Sequence, residues 1–327
     1  MSGKRDDLMI PWCGAALEGW AALPRGMRAA LMRRGVPEVL RQRTGLARRA
    51  ARAMKKMRLM RRLGTLGKRR LVTLSWASDA PAFPDAFWCE LVPWIFDCWG
   101  PEYPEWEALL RRHRVRLAFF TARTSAEHFA KTIPGLRTHW LPEAQELSLL
   151  RPSKKLVERS VQVFEMGRKM QQVHEKIREP LRQAGKKHLF DAPGKHASVI
   201  PTLDLLYQTM GDSAIVMCYP KAMTNPAGAG GVETLTQRYL ETMGSGALVV
   251  GHCPKELEDL FGFNPVVELS ADDPAKHLLE ILGSLDKYQD LADRARAKVN
   301  EVGGFDPRAA EMLRLIDEFD RMGGAKA

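Results

Sequence analysis

A chain of 327 residues exceeds the usual single-domain size and can bury a substantial core, so two domains are the natural expectation. With 45% hydrophobic and 27% charged residues the composition excludes a fibrous or wholly disordered protein. It shows neither an apolar run near the roughly 20 residues that span a bilayer nor a signal-type N-terminal segment, so the cytoplasm is the expected compartment. The formal net charge of +11 is concentrated between Arg25 and Arg70, where 17 Lys or Arg face one acid, Glu38, and this local excess argues against a protein-wide nucleic-acid surface.

In chain order, residues 1–24 are mixed, and WCGAALEGWAALP reads as a short helix or a cap on a neighbouring domain. MRAALMRRG and TGLARRAARAMKKMRLMRRLG predict helices, the second with Leu46, Ala50, Met54 and Met57 on one stripe and Arg or Lys over much of the rest. The period changes after Gly64 and Gly67. LVTLS (71–75) reads as a buried strand, and the apolar runs LVPWIFD, ending at Asp97, and VRLAFF, ending at Phe120, follow as further strands, the last before TARTSAEHF with a threonine or serine helix cap. Strand, polar loop and helix in this order predict βα units with parallel strands, whose ligand-facing groups lie just after the strand C-termini.

Turn signals and charges in PEAQELSLLRPSKKLVERS (142–160) place the crossover to a second βα series. That series comprises VQVFEMG (161–167), a helix to about residue 183, a short strand in HLFDAP, a helix in TLDLLYQTM, and strands in SAIVMCYP and GALVVGH. Periodic Leu, Ile and Met predict terminal helices over 274–294 and 308–321. The expected division is an atypical helical and basic segment at 1–70, an acceptor-side α/β domain at 71–150, and a ligand-binding domain with C-terminal helices at 151–327.

The segment GGVETLTQRYLETMGSGALVV (230–250) carries the main site signal. Thr234 and Gln237 have capping-box spacing, Leu235, Leu240 and Met243 fit a core-facing stripe, and Gly244 and Gly246 permit the exit into the strand. Glu233 then falls outside the helix start and Glu241 near its end, just over two turns apart if the helix runs throughout. The preceding TNPAGAGG, with Gly230 and Gly231, is expected to offer backbone N–H groups to phosphate oxygens. Arg168, directly after the VQVFEMG strand, has a planar donor array suited to phosphate, and an ionised Glu241 has two oxygens for ribose hydroxyls. Taken singly, each of Arg168, Glu233 and Glu241 also fits a solvated or structural role. Five dispersed cysteines with no CxxC predict reduced thiols, Cys218 is expected in the core, and no Asp, His or Cys spacing suggests a metal centre.

Gly167 with Arg168, the pair Glu233 and Glu241, and GSGALVV resemble the C-terminal donor-binding domain of GT-B glycosyltransferases, especially its spore-maturation-like and family 1 forms. KELEDLFG and DDPAKHLLEILGS are similar to the segment that follows in those domains. The resemblance covers residues 160–320 well and 71–150 more loosely. It implies an α/β fold of paired Rossmann-like domains with a reduced or atypical N-terminal one. The implied activity is transfer of a sugar from a nucleotide-diphosphate sugar to a carbohydrate, lipid or secondary-metabolite hydroxyl, retaining and with no obligatory cofactor or metal. By the same resemblance Arg168 stabilises the diphosphate, Glu233 lies by the sugar or distal phosphate, Glu241 holds the ribose, and Arg238 supports the phosphate environment.

FDCWGPEYPEW (96–106) allows two readings: an acceptor cleft with stacking aromatics and Asp97 as base, or Trp99 and Trp106 as core or interdomain anchors. His128 and His252 are read as structural or surface groups, the latter at a strand end that faces the expected crevice. A nucleotide-sugar epimerase and a noncatalytic nucleotide-binding protein are the alternative functions. For residues 46–64 ordinary packing, an anionic membrane surface or phosphate-rich acceptor, and nonspecific nucleic acid stay open; a specific nucleic-acid partner is not expected. The membrane reading would place the protein peripherally at the inner membrane face.

Overall fold

The computed structural model describes residues 7–11, 22–39, 49–50, 53–54, 62–63, 69–75, 84–150, 154–190, 200 and 202–324. Contacts divide the chain into two compact units, Met1–Glu143 with Phe305–Ala327, and Ala144–Gly304. Most of the basic helix expected over 46–64, and most of WCGAALEGWAALP, lie outside the described residues.

The first unit holds a six-stranded sheet in the order β2-β1-β3-β4-β5-β6. Its strands are β1 (Leu8–Pro11), β2 (Glu38–Val39), β3 (Arg70–Ser75), β4 (Glu90–Ile95), β5 (Leu117–Phe120) and β6 (Arg137–Trp140), all paired in parallel. Every residue of β4 is buried, so it reads in sequence as a continuous apolar run rather than an alternation. Residues 1–70 are therefore not a separate helical segment: β1 and β2 form one side of this sheet, with α1 (Ala22–Arg33) between them.

Helices α2 (Tyr103–Arg112) and α3 (Arg123–Thr132) follow β4 and β5. Trp106, Leu109 and Leu110 of α2 and Phe129 of α3 close a core on Leu71, Leu91, Ile95 and Phe120. The cap expected on α3 does not form, because its N-cap is Ala122 and Ser125 instead donates to the Cys98 carbonyl at 2.8 Å. The one acid of the basic stretch, Glu38, accepts from Arg28 at 2.8 Å.

The second unit holds a five-stranded parallel sheet in the order β11-β10-β9-β7-β8. Its strands are β7 (Val161–Glu165), β8 (His188–Phe190), β9 (Ser213–Cys218), β10 (Leu248–Gly251) and β11 (Val266–Glu268). The helices are α4 (Gln171–Gln183), α5 (Leu203–Asp212), α6 (Lys221–Thr224), α7 (Pro226–Ala229), α8 (Gln237–Gly244), α9 (Lys255–Phe261), α10 (Pro274–Leu282) and α11 (Gln289–Val302). Apolar clusters cover both faces of the sheet, as a buried parallel sheet requires. At its N-terminal edge the guanidinium of Arg159, 3% exposed, donates to the carbonyls of Ser213 at 2.8 Å and Gly246 at 2.6 Å.

The last helix, α12 (Phe305–Gly324), belongs to the first unit rather than to the 151–327 domain expected from sequence. Phe305 lies over Gly26 of α1 so closely that a Cβ there would come within 2.1 Å of the ring. Arg33 pairs with Asp306 at 2.9 Å, and Arg70 pairs with Asp320. Among the described residues no helix is long and apolar enough to cross a membrane.

Candidate functional site

Arg168, Glu233 and His252 lie in the segments that follow strands or precede α8 in the second unit. Past β7 the chain turns through Gly167 at φ 68°, a conformation that costs glycine little, and presents Arg168. Arg168 is exposed and, among the described residues, makes no hydrogen bond or ion pair. Arg238, in the first turn of α8, lays its guanidinium against the same turn and donates to the Met166 carbonyl. A Cβ at residue 167 would meet that guanidinium at 2.9 Å, which a shift of the arginine tip relieves, so it is the positive φ that favours glycine here.

Helix α8 begins after Thr236, without a side-chain cap, rather than at Thr234. The capping box is overridden because buried Glu256 of α9 takes both the Thr234 hydroxyl, at 2.8 Å, and the Leu235 amide, at 2.9 Å. Glu233 consequently sits in irregular chain outside the helix, and Glu241 lies only one turn into it. Leu235, Leu240 and Met243 are fully buried as expected.

Glu241 is half-buried, and burial raises its carboxyl above the usual range, against the opposing pull of Arg238 and of the Tyr207 hydroxyl. Tyr207 donates to Glu241 at 3.2 Å and accepts from Gln145 at 2.7 Å. Gln145 in turn accepts from Gln237, the residue one turn before Glu241, at 2.7 Å. Tyr207 and Gln145, which had no role in the sequence reading, thus brace the carboxylate together with Gln237.

Glu233 meets His252, which follows β10, at 3.2 Å from Nε2, while Nδ1 lies 3.2 Å from Glu268 at the end of β11. His252 is therefore a bridge between two carboxylates at neighbouring strand ends. Gly251, at φ 146°, lets this corner form, because a Cβ would come within 2.2 Å of the Cys218 carbonyl. Gly230 and Gly231 also take left-handed conformations, at φ 58° and 79°. The expected offer of amides is only partly present there, since Gly230 N–H is spent on the Pro226 carbonyl at 2.9 Å, closing the single turn of α7.

Cys218 is a core residue whose thiol burial pushes up to about 11. The other sequence-derived group, Asp97, belongs to the first unit, exposed beyond β4 at φ 55°. Trp99 and Trp106 are 5% and 2% exposed, which settles them as packing residues rather than stacking platforms. His128 stacks on Tyr103 with centroids 4.2 Å apart. One cluster was not legible in sequence: Glu165, His174 and His188 converge on one point near the end of β7.

No family model matches the chain, and no curated protein matches it by sequence. Solved structures do match its fold. The sucrose-phosphate synthase of Thermosynechococcus elongatus superposes with a TM-score of 0.63 at 12% identity, over 96% of this chain and 99% of that one. Anabaena HepE in complex with UDP and glucose gives 0.58 at 10% identity, over 95% and 99%. A glycosyltransferase from Rickettsia africae gives 0.52 at 13% identity, over 95% and 97%. The fold is the GT-B type, an α/β pair of Rossmann-like units each built on a parallel sheet.

Proposed function

We propose that this chain is a glycosyltransferase that moves a sugar from a nucleotide-diphosphate sugar to a hydroxyl of a carbohydrate, lipid or secondary-metabolite acceptor, with retention at the anomeric carbon. The observation that carries the reading is the exposed guanidinium of Arg168 at the end of β7, without an ionic partner, beside Arg238 and the uncapped start of α8. Positive charge held there in advance meets the negative charge that develops on a departing diphosphate. The first-turn amides of α8 add to the same field. In this reading Arg168 and Arg238 take the leaving group without an added divalent salt.

Glu241, steadied by Tyr207, accepts the ribose hydroxyls. Glu233, before the start of α8 and held by His252, addresses the sugar. Gly230 and Gly231 shape the turn through which the chain approaches the diphosphate. Asp97 is the acceptor-side base, on the strength of its exposure at a strand end of the first unit. The donor class is supported by HepE, described with UDP and glucose.

The test is a panel of nucleotide sugars and hydroxyl acceptors with the purified chain, following nucleotide release and product. Sugar-dependent release with a glycosylated product is expected. Folded protein that gives neither overturns the proposal; conversion of the donor alone indicates an epimerase, and binding without turnover a noncatalytic protein.

A further inference from the structure

Glu165 closes β7 with a carboxylate only 2% exposed. Two imidazoles converge on the same oxygen of it: His174 Nδ1 from α4, and His188 Nε2, 2.9 Å away, from the start of β8. The three donor atoms lie within 4.8 Å of one another. Both histidine side chains are nearly buried, at 8% and 5% exposure. Glu165 is the partner that orients His188, because among the described residues the ring's other nitrogen is buried without a hydrogen bond.

A second orphan lies on the same side of the sheet. Glu165 is in register with Met217, and Tyr219, two residues further along, returns to that face. The Tyr219 hydroxyl is buried and has no hydrogen-bond partner among the described residues. Buried polar atoms of this kind call for an explanation, and an ion with its bound water is one.

Access is also provided. His174 and Phe190 line a surface cavity of about 390 Å³, together with Gln171, Glu175 and Arg178. Two imidazoles and one carboxylate are a donor set suited to a zinc-like cation, which keeps a further position for water. Each imidazole presents its lone pair to a cation once its proton moves to the opposite ring nitrogen, and the cation would replace two shared protons as the counter-charge of Glu165.

We propose that Glu165, His174 and His188 form a site for a divalent cation of the zinc class, with its open position toward the cavity beside Phe190. The cation would tie the end of β7 to α4 and β8. The inference does not rest on the glycosyl-transfer reading.

The full chain, stripped with a chelator and returned to chelator-free buffer, would be titrated with Zn²⁺ by calorimetry, with Co²⁺ absorption reporting ligand type. One tight equivalent is expected, with a Co²⁺ spectrum of tetrahedral nitrogen and oxygen ligation and a raised Tm. His188→Gln and Glu165→Gln should each weaken that equivalent by about 10- to 100-fold or more. Absence of tight Zn²⁺ binding to the unchanged chain, or equal binding by both variants, would overturn the site. Should the variants fail to fold, imidazole resonances of the unchanged chain decide: perturbation of His174 and His188 by Zn²⁺ supports it, and a purely thiolate Co²⁺ spectrum refutes it.

Discussion

Beyond β4 of the first sheet the chain runs into Trp99 and Trp106, 5% and 2% exposed, whereas beyond β7 of the second it runs into Gly167 and an exposed Arg168 that has no partner among the described residues. Both are C-terminal edges of parallel sheets, where α/β folds place their ligands. One carries buried aromatics around α2 with Asp97 exposed beside them, and the other carries an exposed arginine with no ionic partner among the described residues. An exposed charge at a strand end contributes little to folding, so its removal should leave stability nearly unchanged.

The largest expected effect falls on the packed edge. Trp106→Ala should cost about 3–5 kcal/mol of stability, measured by denaturant unfolding, because it empties a buried indole site. Arg168→Ala is the counterpart on the charged edge: turnover should fall about 10²- to 10³-fold with no shift in Tm. A parallel loss of stability would show that Arg168 is a structural residue and would dissolve the contrast.

Gly26→Ala comes next, at about 1–3 kcal/mol, since a methyl would collide with Phe305 and helices α1 and α12 would have to separate. Nucleotide affinity should be unaffected, as Gly26 belongs to the first unit. Glu241→Ala should weaken nucleotide-sugar binding roughly tenfold, about 1.4 kcal/mol, in a direct binding assay.

The same carboxylate predicts a pH dependence. Its folded pKa lies above the unfolded one because of burial, so the native state holds the proton more firmly. Stability of the free protein should therefore fall as pH rises from the ordinary carboxylate range through the raised value. Donor affinity should rise over that window, because ribose hydroxyls donate to the ionised form. Glu241→Gln should flatten both curves; an unchanged pH profile would move the titration elsewhere.

Strands such as β5 and β9 were legible because buried parallel strands leave near-continuous apolar runs, as in LAFF and AIVMC. LMIP of β1 was not, being four residues inside a mixed stretch, and Glu38–Val39 is too short to show any period. Arg168, Glu233 and Glu241 stood out through their place in a motif. Tyr207 and Gln145 did not, because their contacts close over 34 and 62 positions and no local spacing announces them. Thr234 misled for the opposite reason: the local capping pattern was real, but Glu256, 22 positions away, took its hydroxyl. Periodicity showed that α12 is a helix and gave no sign of which core it would join.

The smallest effect concerns the basic stretch, whose surface the contrast leaves out. If it docks on anionic lipid, vesicle association should rise with anionic lipid content and fall with salt, and Arg52→Ala should weaken it about fivefold, near 1 kcal/mol per charge. Binding indifferent to salt would return the stretch to ordinary packing.

The return of α12 to α1 makes the second unit an insertion within the first, entered at Ala144 and left at Gly304, with the Gln145 amide bonded to the Gly303 carbonyl at 2.8 Å where the two passages meet. On the ribosome this fixes an order of assembly. The inserted unit is contiguous and can close as soon as residue 304 has emerged. The first unit, begun earlier, must wait with Gly26 and its neighbours on α1 uncovered until Phe305 arrives, so the part of the protein made first is the part completed last.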